Sequence, residues 1–320
     1  SLESSDGAVT TNGTLDTSSI GGDAGAIELN AAGDITTETL RAASRSSGGG
    51  KPKDNNVETI GNVEPPDPDE ATGESSGSTV ESNGNGGAIA LTAGGKIDTT
   101  EGAVNSSSSS RRGADVTMNA AGVIRTGSIN SSSTNGRGGN INLSSSERGI
   151  DTREGALDAR SQLGNGGNIT LDAARNVRTQ ILLSGSTGSG EEISGSREGG
   201  RIIITAETGF IDTREGSINS SSDSGNAGRV LLRAGTDVQT SDITARGSEE
   251  GSGGNIRIES SGGSIDTSLG ELDAGAKGGD GGNILLEAAG DITTDALETA
   301  STSSSENAVE AGAGQDAGGI

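Results

Sequence analysis

Apolar and polar residues alternate at period two along this chain, in short bursts that return at a nearly fixed interval. In the stretch Gly199 to Ser220, GGRIIITAETGFIDTREGSINS, the burst is Ile202, Ile204 and Ala206. Equivalent positions read Ile141, Leu143 and Ser145, then Ile169, Leu171 and Ala173, then Ile256, Ile258 and Ser260. Period two is the strand signal, because successive side chains of an extended chain point to opposite faces, and no helical period appears. Aligning the first β-branched residue after each Gly pair gives Ile27, Ile89, Val116, Ile141, Ile169, Ile202, Val230, Ile256 and Ile284. Most spacings are 25 to 28 residues; the exceptions, 62 and 33, hold the segment from Arg45 to Asn83 and the stretch SGSTGSGEEISGSREGG before Ile202. A partial copy with Val9, Thr11 and Leu15 precedes the first full one.

Each copy carries two further short strands. One centres on Ile97, Ile124, Ile150, Val177, Ile211, Val238, Ile265 and Ile292, the other on Val104, Ile129, Leu157, Ile218, Ile243, Leu272 and Leu297. Gly, Asn and Ser fill the corners between them, where tightly turned backbone strains those residues least. Three short strands per repeat of 25 to 28 residues predict one coil of an all-β, right-handed parallel β-helix, a solenoid; the hand follows the general preference of parallel crossovers. A single coil is unstable: burying about five modest side chains at roughly 1.5 to 3 kcal/mol each does not offset ordering about 25 residues at roughly 1 to 2 kcal/mol each. Stacking changes the balance, since every strand then pairs above and below. Nine full coils and a partial one predict a rod roughly 45 to 50 Å long at about 4.8 Å per coil.

Composition narrows the chemistry. Only 28% of the 320 residues are AVILMFWYC, with one Phe (Phe210) and no Tyr or Trp, which is too little for a large globular core. Without periodicity this Gly- and Ser-rich composition would read as disorder. The absence of Cys and His removes disulfides, thiolate and imidazole metal ligands and the commonest general base. A net charge of −24 and the lack of stacking aromatics oppose nucleic-acid binding. No run of 18 apolar residues predicts a membrane span, and Ser1 to Gly7 lacks the basic and apolar regions of a signal peptide. No cofactor is expected. The domain reading is residues 1–44 as the first coils, 45–83 as a mobile insertion holding all four prolines, 84–301 as the continuing solenoid and 302–320 as a linker into a further coil.

Two columns of residues repeat in register. Two residues after the second-strand apolar position stands a threonine in every copy: Thr11, Thr37, Thr99, Thr126, Thr152, Thr179, Thr213, Thr240, Thr267 and Thr294. Alternation points them inward at a corner, where stacked hydroxyls are expected to bond each other or a turn carbonyl. The rival is an outward threonine array that binds ice. The intervening outward residue runs Asp98, Arg125, Asp151, Arg178, Asp212, Gln239, Asp266 and Thr293. In coils with Asp, seven residues separate the second and third apolar positions, as from Ile150 to Leu157; in the others five is usual, so the repeat is a two-coil unit of about 54 residues. Stacked Asp and Arg are expected to attract one strand apart. A calcium site is disfavoured because the Gly-Gly-x-Gly-x-Asp nonapeptide of calcium-binding rolls is missing. Paired carboxylates could serve a β-helical polysaccharide-active enzyme. Here the acids repeat in register, as a structural ladder does, and catalysis is not expected.

The motifs GGNITLDAARNV, GGAIALTAGGKIDTT and GGNILLEAAGDITT, with Ser-rich turns such as NSSSSS, resemble the repeats of filamentous-haemagglutinin-type exoproteins, particularly Gly/Ser-rich cyanobacterial forms. The resemblance covers nearly all of the chain outside residues 45–83. It implies a secreted, cell-surface protein exported through an outer-membrane transporter of the two-partner type, with this segment acting as a structural shaft or adhesive spacer toward a surface or glycan ligand. Binding is then expected at the loops, residues 45–83 and Ser184 to Gly199, since loops on a rigid scaffold carry recognition.

Overall fold

The computed structural model describes residues 1–46, 84–188 and 197–302. Nearly all of the expected insertion, the middle of the stretch from Ser184 to Gly199 and nearly all of the expected C-terminal linker lie outside them. The described residues form a parallel β-solenoid with no helix. Each full coil contributes a five-residue, a three-residue and a two-residue strand, as in Val116–Ala120, Ile124–Thr126 and Ile129–Asn130. These build three ten-stranded parallel sheets in which every strand pairs with its counterpart one coil away.

The registers match the repeat alignment residue for residue. Ile27 pairs with Ile89, Ile141 with Ile169 and Ile256 with Ile284 in the first sheet. Ile97, Ile124 and Ile150 stack in the second, and Val104, Ile129 and Leu157 in the third. Leu182 completes the third column between Leu157 and Ile218. The direct pairing of Ile27 with Ile89 means that the solenoid continues in phase across the long insertion. Arg45, placed in the insertion by the sequence reading, ends a short strand that pairs with Ser19 and Ile20. Ten strands have nine spacings of about 4.8 Å, so the strand axes span about 43 Å, slightly less than the sequence reading gave by counting coils instead of gaps.

The core is a continuous stack of Ile, Leu, Val and Ala, with Met118 and the inward Thr and Ser columns completing it. Its thinness is a consequence of the coil: each strand offers only one to three inward positions.

A fourth corner closes the coil, and the sequence reading did not resolve it. Four residues after the third-strand apolar position, Ser44, Ser108, Ser133, Ser161, Ser186 and Ser222 form a column of parallel bridges. Their hydroxyls donate to backbone carbonyls of the neighbouring turn, as Ser108 does to Gly84 at 2.8 Å and Ser186 to Gly164 at 2.9 Å. Two residues earlier, Ser106, Ser131, Ser184 and Ser220 donate to Ala114, Gly139, Gly200 and Gly228 at 2.7 to 2.9 Å, fastening each coil's last corner to the start of its next strand.

Glycine is needed most clearly in the long corners. In all four coils with the seven-residue spacing the corner ends on glycine: Gly102, Gly155, Gly216 and Gly270. Each lies against the backbone of the preceding short corner; a Cβ on Gly155 would stand 2.3 Å from the amide nitrogen of Ser128. Gly155→Ala is therefore expected to destabilise the solenoid by about 1 to 3 kcal/mol through forced overpacking, read as a lower denaturant midpoint with unchanged m-value.

Candidate functional site

The second sheet and its following corner carry the residues that the sequence singles out. Thr37, Thr99, Thr126, Thr152, Thr179, Thr213, Thr240 and Thr267 are all buried, facing inward. They present no outward array. Thr294 belongs to the last described coil and is exposed, as its neighbours Ile292 and Thr293 are.

Their hydrogen bonding departs from expectation. Only Thr126 and Thr240 donate to turn carbonyls, of Gly127 at 3.1 Å and Ser241 at 2.9 Å. The hydroxyls of Thr11, Thr37, Thr99, Thr152, Thr179, Thr213 and Thr267 have no partner. The reason is spacing. Residues stacked in a parallel sheet lie about 4.8 Å apart, beyond the roughly 2.5 to 3.0 Å that an O–H···O bond requires, and the strand carbonyls are engaged along the rod axis. Thr213→Val is accordingly expected to stabilise the protein by about 1 kcal/mol, by removing a buried unsatisfied hydroxyl, while Thr240→Val is expected to be neutral or destabilising; paired denaturant melts check the difference.

The outward column stacks as the sequence predicts in register: Asp98 opposite Arg125, Arg125 opposite Asp151, Asp151 opposite Arg178, and Arg178 opposite Asp212. The direct contacts are different. Asp151 takes a two-pronged bond from Arg153, Nε at 2.9 Å and Nη2 at 2.7 Å, and Asp212 takes the same from Arg214 at 2.9 and 2.8 Å. Asp98 accepts from the Thr100 hydroxyl at 2.7 Å with Lys96 at 3.6 Å, and Asp266 accepts from the Ser268 hydroxyl at 2.6 Å. Each acid thus turns to the residue two positions on, which projects on the same side and reaches it without crossing to another strand. The signal was present in the twice-repeated IDTREG. Arg125 and Arg178 act on the acids only at longer range. Arg178 lies over the Phe210 ring, 4.6 Å from its centroid, a cation–π arrangement around the chain's single aromatic side chain.

These bonds hold the carboxyl groups of Asp151 and Asp212 below the ordinary Asp range, chiefly through the guanidinium hydrogen bonds of Arg153 and Arg214 against the opposing effect of burial. For Asp98, burial opposes ionisation but is outweighed by the hydroxyl and amide of Thr100, with Lys96 and Arg125 adding to them. A depressed folded-state pKa contributes stability above the unfolded-state value and loses it as pH falls through the folded-state value. Stability is therefore expected to fall below about pH 4; Arg214→Gln should be less stable than the native chain at about pH 7, with the difference narrowing as pH falls below about 4, as seen in urea melts across that range.

The corner is toothed. Coils with Asp carry the two extra corner residues, and their tips, Glu101, Glu154, Glu215 and Leu269, are exposed. The alternate coils are recessed, with Arg125, Arg178 and Gln239 at the recesses. Asp98, Thr100, Arg125, Asp151, Arg153 and Glu154 line a cleft of about 280 Å³. One coil pair further on, Arg153 reaches across the recess of Arg178 to Glu215 at 3.3 Å.

A second departure from the repeat lies on the outer face of the first sheet. The outward column reads Ala90, Thr117, Asn142 and Thr170, then Ile203, Leu231, Arg257 and Leu285. Beside it Arg233 bonds Glu259 at 2.8 Å and Arg257 bonds Glu287 at 2.9 Å, and these acids with Thr205 and Arg233 border a hollow of about 440 Å³. The broken alternation in Ile202 to Ile204, Val230 to Leu232 and Ile284 to Leu286 is the trace of this patch in the sequence, and the reading passed over it.

Among the described residues no group of three or more acids is placed to hold a metal ion. No helix of the described residues is long and apolar enough to cross a membrane. No family model, curated protein or solved structure matches the chain. The fold and its corners define the class, a parallel β-solenoid with a two-coil repeat.

Proposed function

We propose that this segment is a rigid shaft or adhesive spacer of a secreted, cell-surface exoprotein, exported through an outer-membrane transporter of the two-partner type. The observation that carries the reading is the unbroken register of three ten-stranded sheets, continued from Ile27 to Ile89 across an insertion that leaves the stack undisturbed. A solenoid of this kind sets distance, since each coil adds one strand spacing and contacts only its neighbours. The chemistry supports mechanical service over catalysis: the second-sheet acids Asp98, Asp151, Asp212 and Asp266 repeat in register and each is engaged by a neighbouring Arg, Lys, Ser or Thr. The likeness of the repeats to filamentous-haemagglutinin-type exoproteins supplies the export route and the surface location. Adhesion, on this reading, uses surfaces that depart from the repeat, such as the outer face around the half-buried Ile203 and the exposed Leu285, presented toward a glycan or cell surface by the rod.

The spacer reading has a length test. Deleting residues 211–264 removes one two-coil unit and joins Phe210 to Ile265 in the phase that Ile211 had. The shortened chain is expected to fold with the same β-type circular dichroism and to lose about 9.6 Å of maximum dimension in small-angle scattering. On cells displaying the full-length parent protein, the same deletion should draw the distal end inward by that distance and leave surface delivery intact. Loss of folding, or an unchanged dimension, would count against a modular shaft; retention inside the cell when the adjacent transporter is removed tests the export route.

A further inference from the structure

The toothed corner leaves some charges unused. Asp98, Asp151, Asp212 and Asp266 are each engaged locally, and Glu215 is engaged by Arg153. What remains is one recessed base, Arg125, and two tip acids, Glu101 and Glu154. Arg125 is exposed at the 280 Å³ cleft and makes no hydrogen bond or ion pair within 4.0 Å among the described residues. Glu101 and Glu154 are likewise exposed, without an ion pair to any described residue. Base in the recess and acid on the tooth, one coil apart, form a self-complementary pattern.

We propose that two copies of this chain pair side by side and antiparallel along this corner, Glu154 of each copy entering the Arg125 cleft of the other. A two-fold axis between the coils of Arg125 and Asp151 makes the two contacts equivalent, as a closed dimer requires. The same axis sets each tooth of one rod opposite a recess of the other, so that Glu101 faces the coil of Arg178. The guanidinium of Arg125 is a suitable receptor because its planar fork of donors binds a carboxylate in two-pronged fashion. Of the acids already at the cleft, Asp98 and Asp151 are held by Thr100, Lys96 and Arg153, and Glu154 of the same copy, which also borders it, makes no ion pair with Arg125.

The size of the contact sets its strength. Four coils at about 4.8 Å cover about 19 Å of rod, and a corner about four residues wide is about 13 Å across, so the contact is about 250 Å² per partner, well short of the roughly 800 Å² of a stable interface, and the pairing is weak in solution. Rods held together on a common surface would pair more readily, because tethering raises their effective concentration. The net charge of −24 opposes approach at long range. At about 0.1 M salt that repulsion is screened beyond roughly 10 Å, while contacts at hydrogen-bond distance persist. The proposal concerns lateral pairing and does not depend on the shaft reading, whose test is the length of a single rod.

The experiment is a charge-swap cycle on the whole chain, followed by sedimentation equilibrium at about 0.1 M salt. The native chain is expected to show concentration-dependent dimerisation. Arg125→Glu alone and Glu154→Arg alone should each weaken it by at least about tenfold, because each places like charges at both contacts. An equimolar mixture of the two variants should regain the native association. The mixed pair carries the same total charge as two native chains, so recovery cannot come from net charge. Circular dichroism confirms that each variant remains folded, and Arg125→Gln, which removes the base without adding an acid, should also weaken pairing. A chain monomeric at every concentration overturns the proposal, as would be seen if Glu154 closed onto Arg125 of its own copy. Dimerisation indifferent to both single variants, or a mixture no better than its components, overturns it equally.

Discussion

Everything in this molecule depends on backbone pairing between successive coils. A strand two to five residues long has no independent stability, and its amides find partners only along the rod axis: Ile141 donates to Asn168 at 2.8 Å, Ile169 to Arg201 at 2.8 Å and Ile202 to Arg229 at 3.0 Å. The spacing of about 4.8 Å that this imposes then governs the side chains. Asn is well suited to it outside the strands, its amide oxygen reaching the backbone one coil on, as Asn140 does to the Asn168 amide at 3.0 Å and Asn168 to the Arg201 amide at 2.9 Å. Threonine inside is less well served, because hydroxyls stacked at that spacing are too far apart to bond each other. Its value at the inward corner is its shape, a β-branched side chain suited to extended backbone beside the smaller Ala and Ser columns.

The same constraint explains why so much of the fold was legible in the sequence. In a parallel solenoid the repeat index is the register, so aligning Ile27, Ile89 and Val116 by eye amounts to pairing them in space. Globular folds offer no such shortcut, since their long-range contacts join unlike segments. The two-coil alternation was legible for the same reason, as the change from seven to five residues between apolar columns.

What escaped the sequence reading is chemistry settled by rotamer and reach. Whether Asp151 turns to Arg178 on the next strand or to Arg153 two residues on depends on side-chain geometry, and the local guanidinium prevails because it aligns both prongs with the carboxylate. The serine column from Ser44 to Ser222 escaped because serine there reads as turn composition, while its function is to tie the fourth corner to the turn beside it. The outer column of Ile203, Leu231 and Leu285 escaped because a pair of adjacent apolar residues in a strand looks like a stronger strand. In a repeat protein such departures matter most: the regular positions explain why the chain stands, and the irregular ones are where it can distinguish a partner.

If stability is shared between neighbouring coils, it must be greatest in the middle of the rod and least where a coil has a neighbour on one side only. Ile141, Ile169 and Ile202 are wholly buried, whereas Ile292 in the last described coil is 46% exposed. Native-state hydrogen exchange of backbone amides reads this gradient directly. In residues 1–320 taken as a separate chain, slowest exchange is predicted at the amides of Ile141, Ile169 and Ile202, with protection falling coil by coil toward Val9 and Ile292. Uniform protection from one end to the other, or exchange fastest in the central coils, would contradict the account.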